Sequence, residues 1–284
     1  MNRQYYYLVA GLPDIFFEDK KIPVTLSSFR QYLMEHLNNE DLQNLLLYFW
    51  RYDNENILTR LRQEDKPLND LGNLSTESID ELFSTVKESS ADEAMKIAPG
   101  YLYRFIEAYR NEEPLFDNKS WDLQLSELYY QHLTTVSNSF IKNWFEFEYK
   151  LNNILTALNC RYNGMDVENQ LIGSGELNAK LIKSSARDFG ISDEIDHLED
   201  ILKAWEEPDI LEQEKKIDRL KWDILEEESF FHYFTIEKIF TFLIKLSIAE
   251  RWISLDKDTG LELFKELLNS METSYEFPEE FSIK

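Results

Sequence analysis

Glu194-x-x-His197 is the first pattern in this 284-residue chain whose residue types and spacing could do chemistry. On a helix that spacing puts a carboxylate and an imidazole on one face, the element with which helical bundles hold a pair of metal ions. Two such elements and two further carboxylates are required. None of His36, His132 and His232 supplies the second, so the pair reads as surface residues of an acidic helix. Asp256-x-Asp258-x-Gly260 matches the opening of a calcium loop, but the obligatory glycine falls on Leu261 and the bidentate glutamate on Leu267. It reads as a turn between helices. Gly173-x-Gly175 lacks the third glycine and the preceding strand of a dinucleotide site, and the chain has neither a Walker sequence nor Gly-x-Ser-x-Gly. Cys160 stands in a predicted helix without a histidine partner and reads as a small buried hydrophobe. With 54 acidic residues, no carboxylate pair stands out. The expectation is a protein that is no enzyme and holds no cofactor or metal.

The same acidity bounds the partners. A net charge of −24 repels phosphate backbones, so nucleic acid is not expected. A single cysteine rules out an internal disulfide and fits a reducing compartment. Tyr5–Ala10 is too short for a signal-peptide core. The apolar region Phe230–Ile253 is interrupted by His232, Glu237, Lys238, Lys245, Glu250 and Arg251, so no direct membrane span is expected. These readings place the chain in the cytoplasm.

The elements that must position these residues follow from punctuation and periodicity. Leu115–Asn163 and Asp209–Thr259 each run about fifty residues without glycine or proline, the strongest helix breakers. In the first, Trp121, Leu125, Leu128, His132, Val136, Phe140, Trp144, Phe147, Leu151, Leu155 and Leu158 recur at steps of three or four, one apolar stripe on a helix. Read as one helix, at ~1.5 Å per residue, it is on the order of 60 Å long. Ser120 caps its start and Gly164 closes its end. The second run breaks near Phe230–Tyr233, where Thr235 recaps, into two antiparallel helices. Tyr5–Leu12 reads as a short extended segment because tyrosine and valine favour strands. Thr25 or Ser27 caps a helix through Leu37, and Glu40–Arg62 is another. Gln63–Ser75 is a loop, Lys87–Glu93 a polar connection before Pro99-Gly100. A weaker helix spans Leu177–Phe189, and Ser192 caps one whose buried face is Ile195, Leu198, Ile201/Leu202 and Trp205. The acidic tail Tyr275–Lys284 reads as poorly ordered. The fold class is all-α, an elongated multi-helix scaffold in a single domain, 1–284. Aromatic residues make up 14% of the chain. Tyr5-Tyr6-Tyr7, Tyr48-Phe49-Trp50 and Trp144-Phe145-x-Phe147 fit either packing between helix layers or a partner surface with aromatic anchors.

Four landmarks carry a family resemblance. They are Glu148-x-x-x-Asn152-Asn153-Ile154-Leu155 with Arg161 and Gly164; Leu171-Ile172-Gly173-Ser174-Gly175-Glu176-Leu177; the long acidic helix Asp209–Glu228; and Ile236–Leu261 with Ala249-Glu250-Arg251-Trp252 and Asp258-Thr259-Gly260. In this order they resemble the C-type central-stalk subunit of prokaryotic V-type ATPases, the d-type subunit in eukaryotes. A divergent copy stands around Asn44–Asn56. Tyr5-Tyr6-Tyr7-Leu8-Val9-Ala10-Gly11-Leu12-Pro13 and Cys160-Arg161-Tyr162-Asn163-Gly164 look like an uncharacterised bacterial family linked to V-type ATPase gene clusters. The resemblance implies three pseudo-repeated helical units, approximately 1–110, 111–190 and 191–284. It implies a non-catalytic part of a proton- or sodium-transporting motor that seats the rotor shaft on the membrane ring, with shaft and ring subunits as partners. Localisation would be peripheral to the inner membrane through those partners. Glu148, Asn152, Asn153, Arg161, Gly164, Glu250, Arg251 and Gly260 would be structural or partner-facing helix-end residues. The alternative is a cytoplasmic helical interaction or assembly factor with no rotary role.

Overall fold

The computed structural model describes residues 4–88 and 90–255. Within them the chain is all-helical: α1 (Tyr6–Ala10), α2 (Leu26–His36), α3 (Asn39–Leu61), α4 (Thr76–Lys87), α5 (Ala91–Ile97), α6 (Gly100–Asn111), α7 (Trp121–Leu133), α8 (Ser139–Asn163), α9 (Glu176–Lys183), α10 (Leu198–Trp205), α11 (Ile210–Glu228) and α12 (Ile236–Leu255). No strand occurs among the described residues. Asp256, Asp258, Gly260 and the tail Tyr275–Lys284 lie outside them.

Helix starts follow capping chemistry. Thr25 accepts from the Ser28 N–H and Ser28 returns the bond to the Thr25 N–H, a capping box that starts α2. Asn38, Ser75, Ser120, Asn138 and Asp209 each accept a backbone N–H in the first turn of α3, α4, α7, α8 and α11. At the other end of α8, Gly164 adopts φ +65°, the left-handed conformation that closes the last turn.

Four sequence expectations are corrected. Leu115–Asn163 is not one helix but two, α7 and α8. The Thr134 and Thr135 hydroxyls donate to the Gln131 and His132 carbonyls at 2.7 Å, and Asn138 caps a new helix by accepting from the Ile141 N–H at 3.1 Å. Side chains that bond locally to the backbone end a helix as glycine or proline would. Tyr5–Leu12 is not extended but holds α1. No strand lies beside it, and helical bonds such as Val9 N–H to Tyr5 O at 2.9 Å satisfy its backbone. Ser192 is not a helix cap: its hydroxyl donates to Asp188 at 2.6 Å, and the following helix starts only at Leu198. The helix read over Leu177–Phe189 stops at Lys183.

Buried side chains gather in two clusters. The larger draws on residues 5–145 and 222–249, the smaller on 151–217. Two helices belong to both. Trp144 and Phe145 of α8 sit in the larger cluster, and Leu151, Ile154, Ala157 and Leu158 in the smaller. Ile217 and Trp222 divide α11 in the same way. Each fully buried Leu or Phe contributes on the order of 2 kcal/mol, so these two helices tie the clusters firmly together.

Candidate functional site

The residues that carried the resemblance lie at joints between helices. Glu148 of α8 is buried and accepts from Arg51 of α3 at 3.1 Å. The Arg51 guanidinium also lies over the Tyr48 ring at 4.0 Å, and its Nε donates to the Tyr48 carbonyl at 3.1 Å. Burial opposes the Arg51 charge, but the Glu148 carboxylate outweighs it and holds the guanidinium well above its ordinary value. Asn152, on the exposed side of α8, donates to the Tyr130 hydroxyl at 2.6 Å. Arg161 donates to the Ala186 and Ser184 carbonyls at 2.7 Å and stacks 3.9 Å from the Phe189 ring centroid. Glu250 of α12 accepts the Leu26 N–H at 2.8 Å, satisfying an orphan donor of α2. Arg251 donates to Asp218 of α11 at 2.8 Å and to Glu214 at 2.5 Å.

Asn153 makes the most elaborate joint. Its amide donates to the Ile172 carbonyl at 2.9 Å and accepts the Ile172 N–H at 2.9 Å, clamping one residue of the loop before α9. It also donates to Asn178 at 3.2 Å, and Asn178 donates to the same carbonyl at 2.7 Å. The next residue, Gly173, has φ +77°, and a Cβ there would stand 2.5 Å from the Tyr149 hydroxyl. The same device occurs in α3. Asn56 donates to the Asn69 carbonyl at 2.9 Å and accepts the Asn69 N–H at 2.7 Å. Three residues on, a Cβ at Gly72 would approach Asp53 to 2.8 Å. Asp53 accepts the Asn73 and Leu74 N–H groups at 2.7 and 2.9 Å. Its burial pushes the carboxyl up to about 6 despite those bonds. Two long helices thus each hold the loop that follows them by an asparagine paired with a loop residue's backbone.

The chemical candidates are arranged otherwise. Glu194 pairs with Lys180 in the turns before α10, and His197 has φ +61° at the edge of that helix, so the two do not share a helical face. Among the described residues no group of three or more His, Cys, Asp or Glu could hold a metal ion. Cys160 is buried, and desolvation pushes its thiol up, away from the reactive thiolate. A cleft of about 280 Å³ is lined by Tyr130, Phe145, Tyr149 and Lys142 among others. Of its polar groups, Glu127 is held by Lys119 and the Tyr149 hydroxyl donates to Ile172 O at 2.9 Å.

Of the aromatic runs, Tyr48, Phe49, Trp144 and Phe145 are core residues. Tyr5 is buried too, its hydroxyl donating to Asp41, while Tyr6 and Tyr7 are exposed, Tyr7 at 96%. The surface that sequence reasoning missed is the turn between α11 and α12. Phe230, Phe231 and Tyr233 are exposed at 63%, 79% and 62%. Phe234 lies 4.8 Å from the Tyr6 ring, and its carbonyl accepts the Tyr5 N–H at 2.6 Å, so α1 and the turn form one patch. The available signal was a helix break populated by rings, where breaks are ordinarily polar.

Helices locked by paired polar joints, with their rings exposed at one turn, define an all-α multi-helix scaffold. The chain belongs to the DUF2764 family, described as proteins of unknown function, whose model matches residues 1–275. No curated protein and no solved structure was found to match it. No helix among the described residues is long and apolar enough to cross a membrane.

Proposed function

We propose that this protein is a non-catalytic coupling subunit of a V-type ATPase, joining the rotor shaft to the membrane ring. One observation carries the reading: the asparagine clamp of Asn153 on Ile172 recurs as that of Asn56 on Asn69, in the region read as a divergent copy of the same motif. Internal repetition of helix-plus-clamped-loop units fits the pseudo-repeated architecture that the V-type resemblance implies. Torque transfer needs a stiff part, and buried joints that fix one helix to the next supply stiffness. Glu148, Asn153, Arg161, Glu250 and Arg251 then act as internal fasteners. Contact with shaft and ring would fall to other residues.

The test is affinity purification of the tagged protein from gently solubilised membranes, with mass spectrometry of what accompanies it. Stoichiometric recovery of V-type catalytic, shaft and ring subunits is expected. A protein found only in the soluble fraction, free of those subunits, would overturn the coupling role in favour of a helical assembly factor.

A further inference from the structure

We infer that the cleft beside the α11–α12 turn is a docking site for an acidic polypeptide segment that also bears apolar side chains. The cleft, of about 400 Å³, is lined by Glu226, Phe230, His232, Tyr233, Lys238 and Lys245. Its two lysines lie on one face of α12, about two turns apart. Glu226 is already taken: its Oε1 accepts from Lys245 at 2.7 Å and from Trp222 Nε1 at 3.0 Å. Lys245 also stands over the Trp222 ring at 4.1 Å. His232 faces buried Glu237 at 3.7 Å. Lys238 has no such answer. It makes no salt bridge among the described residues and only donates to the Ser229 hydroxyl at 3.3 Å. Desolvation pushes this half-buried ammonium down from its ordinary value, Lys245 adds to the effect, and Glu226 opposes it. A carboxylate entering the cleft would complete the pairing that Lys238 lacks.

The rings beside this lysine supply the apolar half of the site. Phe230, Phe231 and Tyr233 are exposed on a fixed turn. Phe230 N–H donates to Glu227 O at 3.2 Å, His232 N–H to Ser229 O at 2.9 Å, and Ser229 is fully buried. The Phe230 and Phe231 rings meet edge to face at 5.0 Å. Rings ordered before binding lose little freedom on docking and serve as interface anchors. With Tyr6 packed on Phe234 beside them, these rings reach beyond the cleft, which suits a polypeptide better than a small molecule. The carboxylates at the end of α11 narrow the choice further. Glu227 lines a different cleft with Lys203, Lys216 and Arg219, and Glu228 another with Lys150 and His197. A narrow segment threaded past Lys238 avoids both acids. A flat bilayer laid on the turn would bring its phosphates against them, since both are exposed. A second copy docked through the same cleft by two-fold symmetry would set these lysines against their own counterparts. The net charge of −24 slows an acidic partner's approach, but physiological salt screens exposed charges beyond ~8 Å, so contacts in the cleft decide the affinity. The identity of the partner as a shaft or ring component rests on the coupling reading; the chemistry of the cleft does not.

The experiment titrates the full-length protein into a fluorescent peptide of glutamates and phenylalanines spaced by serines. A peptide with lysine in place of each glutamate is the control. Fluorescence anisotropy is expected to show the acidic peptide bound about tenfold or more tighter than the control. Lys238→Gln, which keeps a donor for Ser229 but loses the charge, should weaken binding about tenfold, as should Phe230→Ser/Tyr233→Ser. Lys238→Arg, which keeps the charge, should bind close to the wild type. Unchanged thermal midpoints would establish that the variants remain folded. If Lys238→Gln does not fold, the preference for the acidic peptide over its control decides the point. No binding by the wild type, no preference for the acidic peptide, or equal binding by a folded Lys238→Gln overturns the inference. So does flotation of the wild type on phosphatidylglycerol vesicles that Lys238→Gln abolishes, which would assign the cleft to lipid. Concentration-dependent dimerisation that Phe230→Ser/Tyr233→Ser abolishes overturns it in favour of a second copy. Membrane purification separates the two claims. V-type subunits recovered with wild type and variants alike leave the coupling reading standing without this site. Peptide binding without V-type subunits leaves the site standing alone.

Discussion

Replacing Asn153 by alanine tests the clamp directly. The side chain is buried and makes three hydrogen bonds, two to Ile172 and one to Asn178. In the variant the Ile172 carbonyl keeps Tyr149 and Asn178 as donors, at 2.9 and 2.7 Å. The Ile172 N–H keeps no acceptor, and a buried donor without a partner costs ~1–3 kcal/mol. Two further lost bonds at ~1 kcal/mol each bring the expected loss to about 3–5 kcal/mol. Asn152→Ala, one residue away, removes a single exposed contact to Tyr130 and should cost no more than ~0.5 kcal/mol. Asn56→Ala, which loses two bonds to Asn69, should fall at about 2 kcal/mol. Urea unfolding followed by tryptophan fluorescence reads the series. At a slope of roughly 3 kcal/mol/M, Asn153→Ala lowers the midpoint by about 1–1.7 M and Asn152→Ala leaves it nearly unmoved. Equal midpoints for the neighbouring variants would refute the clamp as a structural joint.

Single contacts give three more predictions. The Asp53 carboxyl stands at about 6 in the folded chain, above the ~3.9 of an unfolded aspartate, so its contribution is full below about pH 4 and lost as pH rises through 6. The wild type should therefore lose roughly 2 kcal/mol more than Asp53→Asn between pH 4 and 7.5, and parallel stability curves would contradict this. Gly173→Ala meets both φ +77° and the Tyr149 hydroxyl, and should cost on the order of 2 kcal/mol. Tyr149→Phe should recover part of that loss by thermal melting, and no recovery would show that the close approach is unimportant. Glu250→Ala should cost about 1–2 kcal/mol by leaving the Leu26 N–H without its acceptor, whereas Glu250→Gln, which keeps one, should cost less than half as much. Equal losses in denaturant melts would refute the bond.

Local chemistry was legible, and distant chemistry was not. Thr25, Ser120 and Gly164 announced α2, α7 and the end of α8 because a cap acts within four residues of itself. The break at Thr134–Asn138 escaped because Val136 and Phe140 stay buried across it, so the apolar stripe continues through a turn. Periodicity reports which residues face the core, not whether the backbone between them is helical. The motif residues stood out in the sequence, but not their use. Ile172 lies 19 positions from Asn153, and Leu26 lies 224 from Glu250. The aromatic runs misled for a related reason: a ring's burial depends on which helices cover it, and the covering helices of Tyr48 and Trp144 come from elsewhere in the chain.

The joints and the exposed turn have opposite energetics. Asn153 pairs every bond it makes with a buried group and Asn56 pairs both of its bonds with half-buried Asn69, whereas Phe231 forgoes burial and Glu228 sits against a helix dipole. The turn stands at the tip of the α11–α12 hairpin, which is tied further down. Asp218 lies ten residues before Glu228, ~15 Å down α11 at 1.5 Å per residue, and fastens α11 to α12. It is buried and accepts from Arg251 at 2.8 Å and from Trp252 Nε1 at 3.0 Å on one oxygen, with Lys221 at 3.3 Å from the other. Asp218→Asn removes the charge from both cationic contacts, a loss of about 2 kcal/mol. A lower urea midpoint together with altered Trp252 fluorescence is expected if Asp218 ties α11 to α12. An unmoved midpoint with unchanged Trp252 fluorescence would refute the tie.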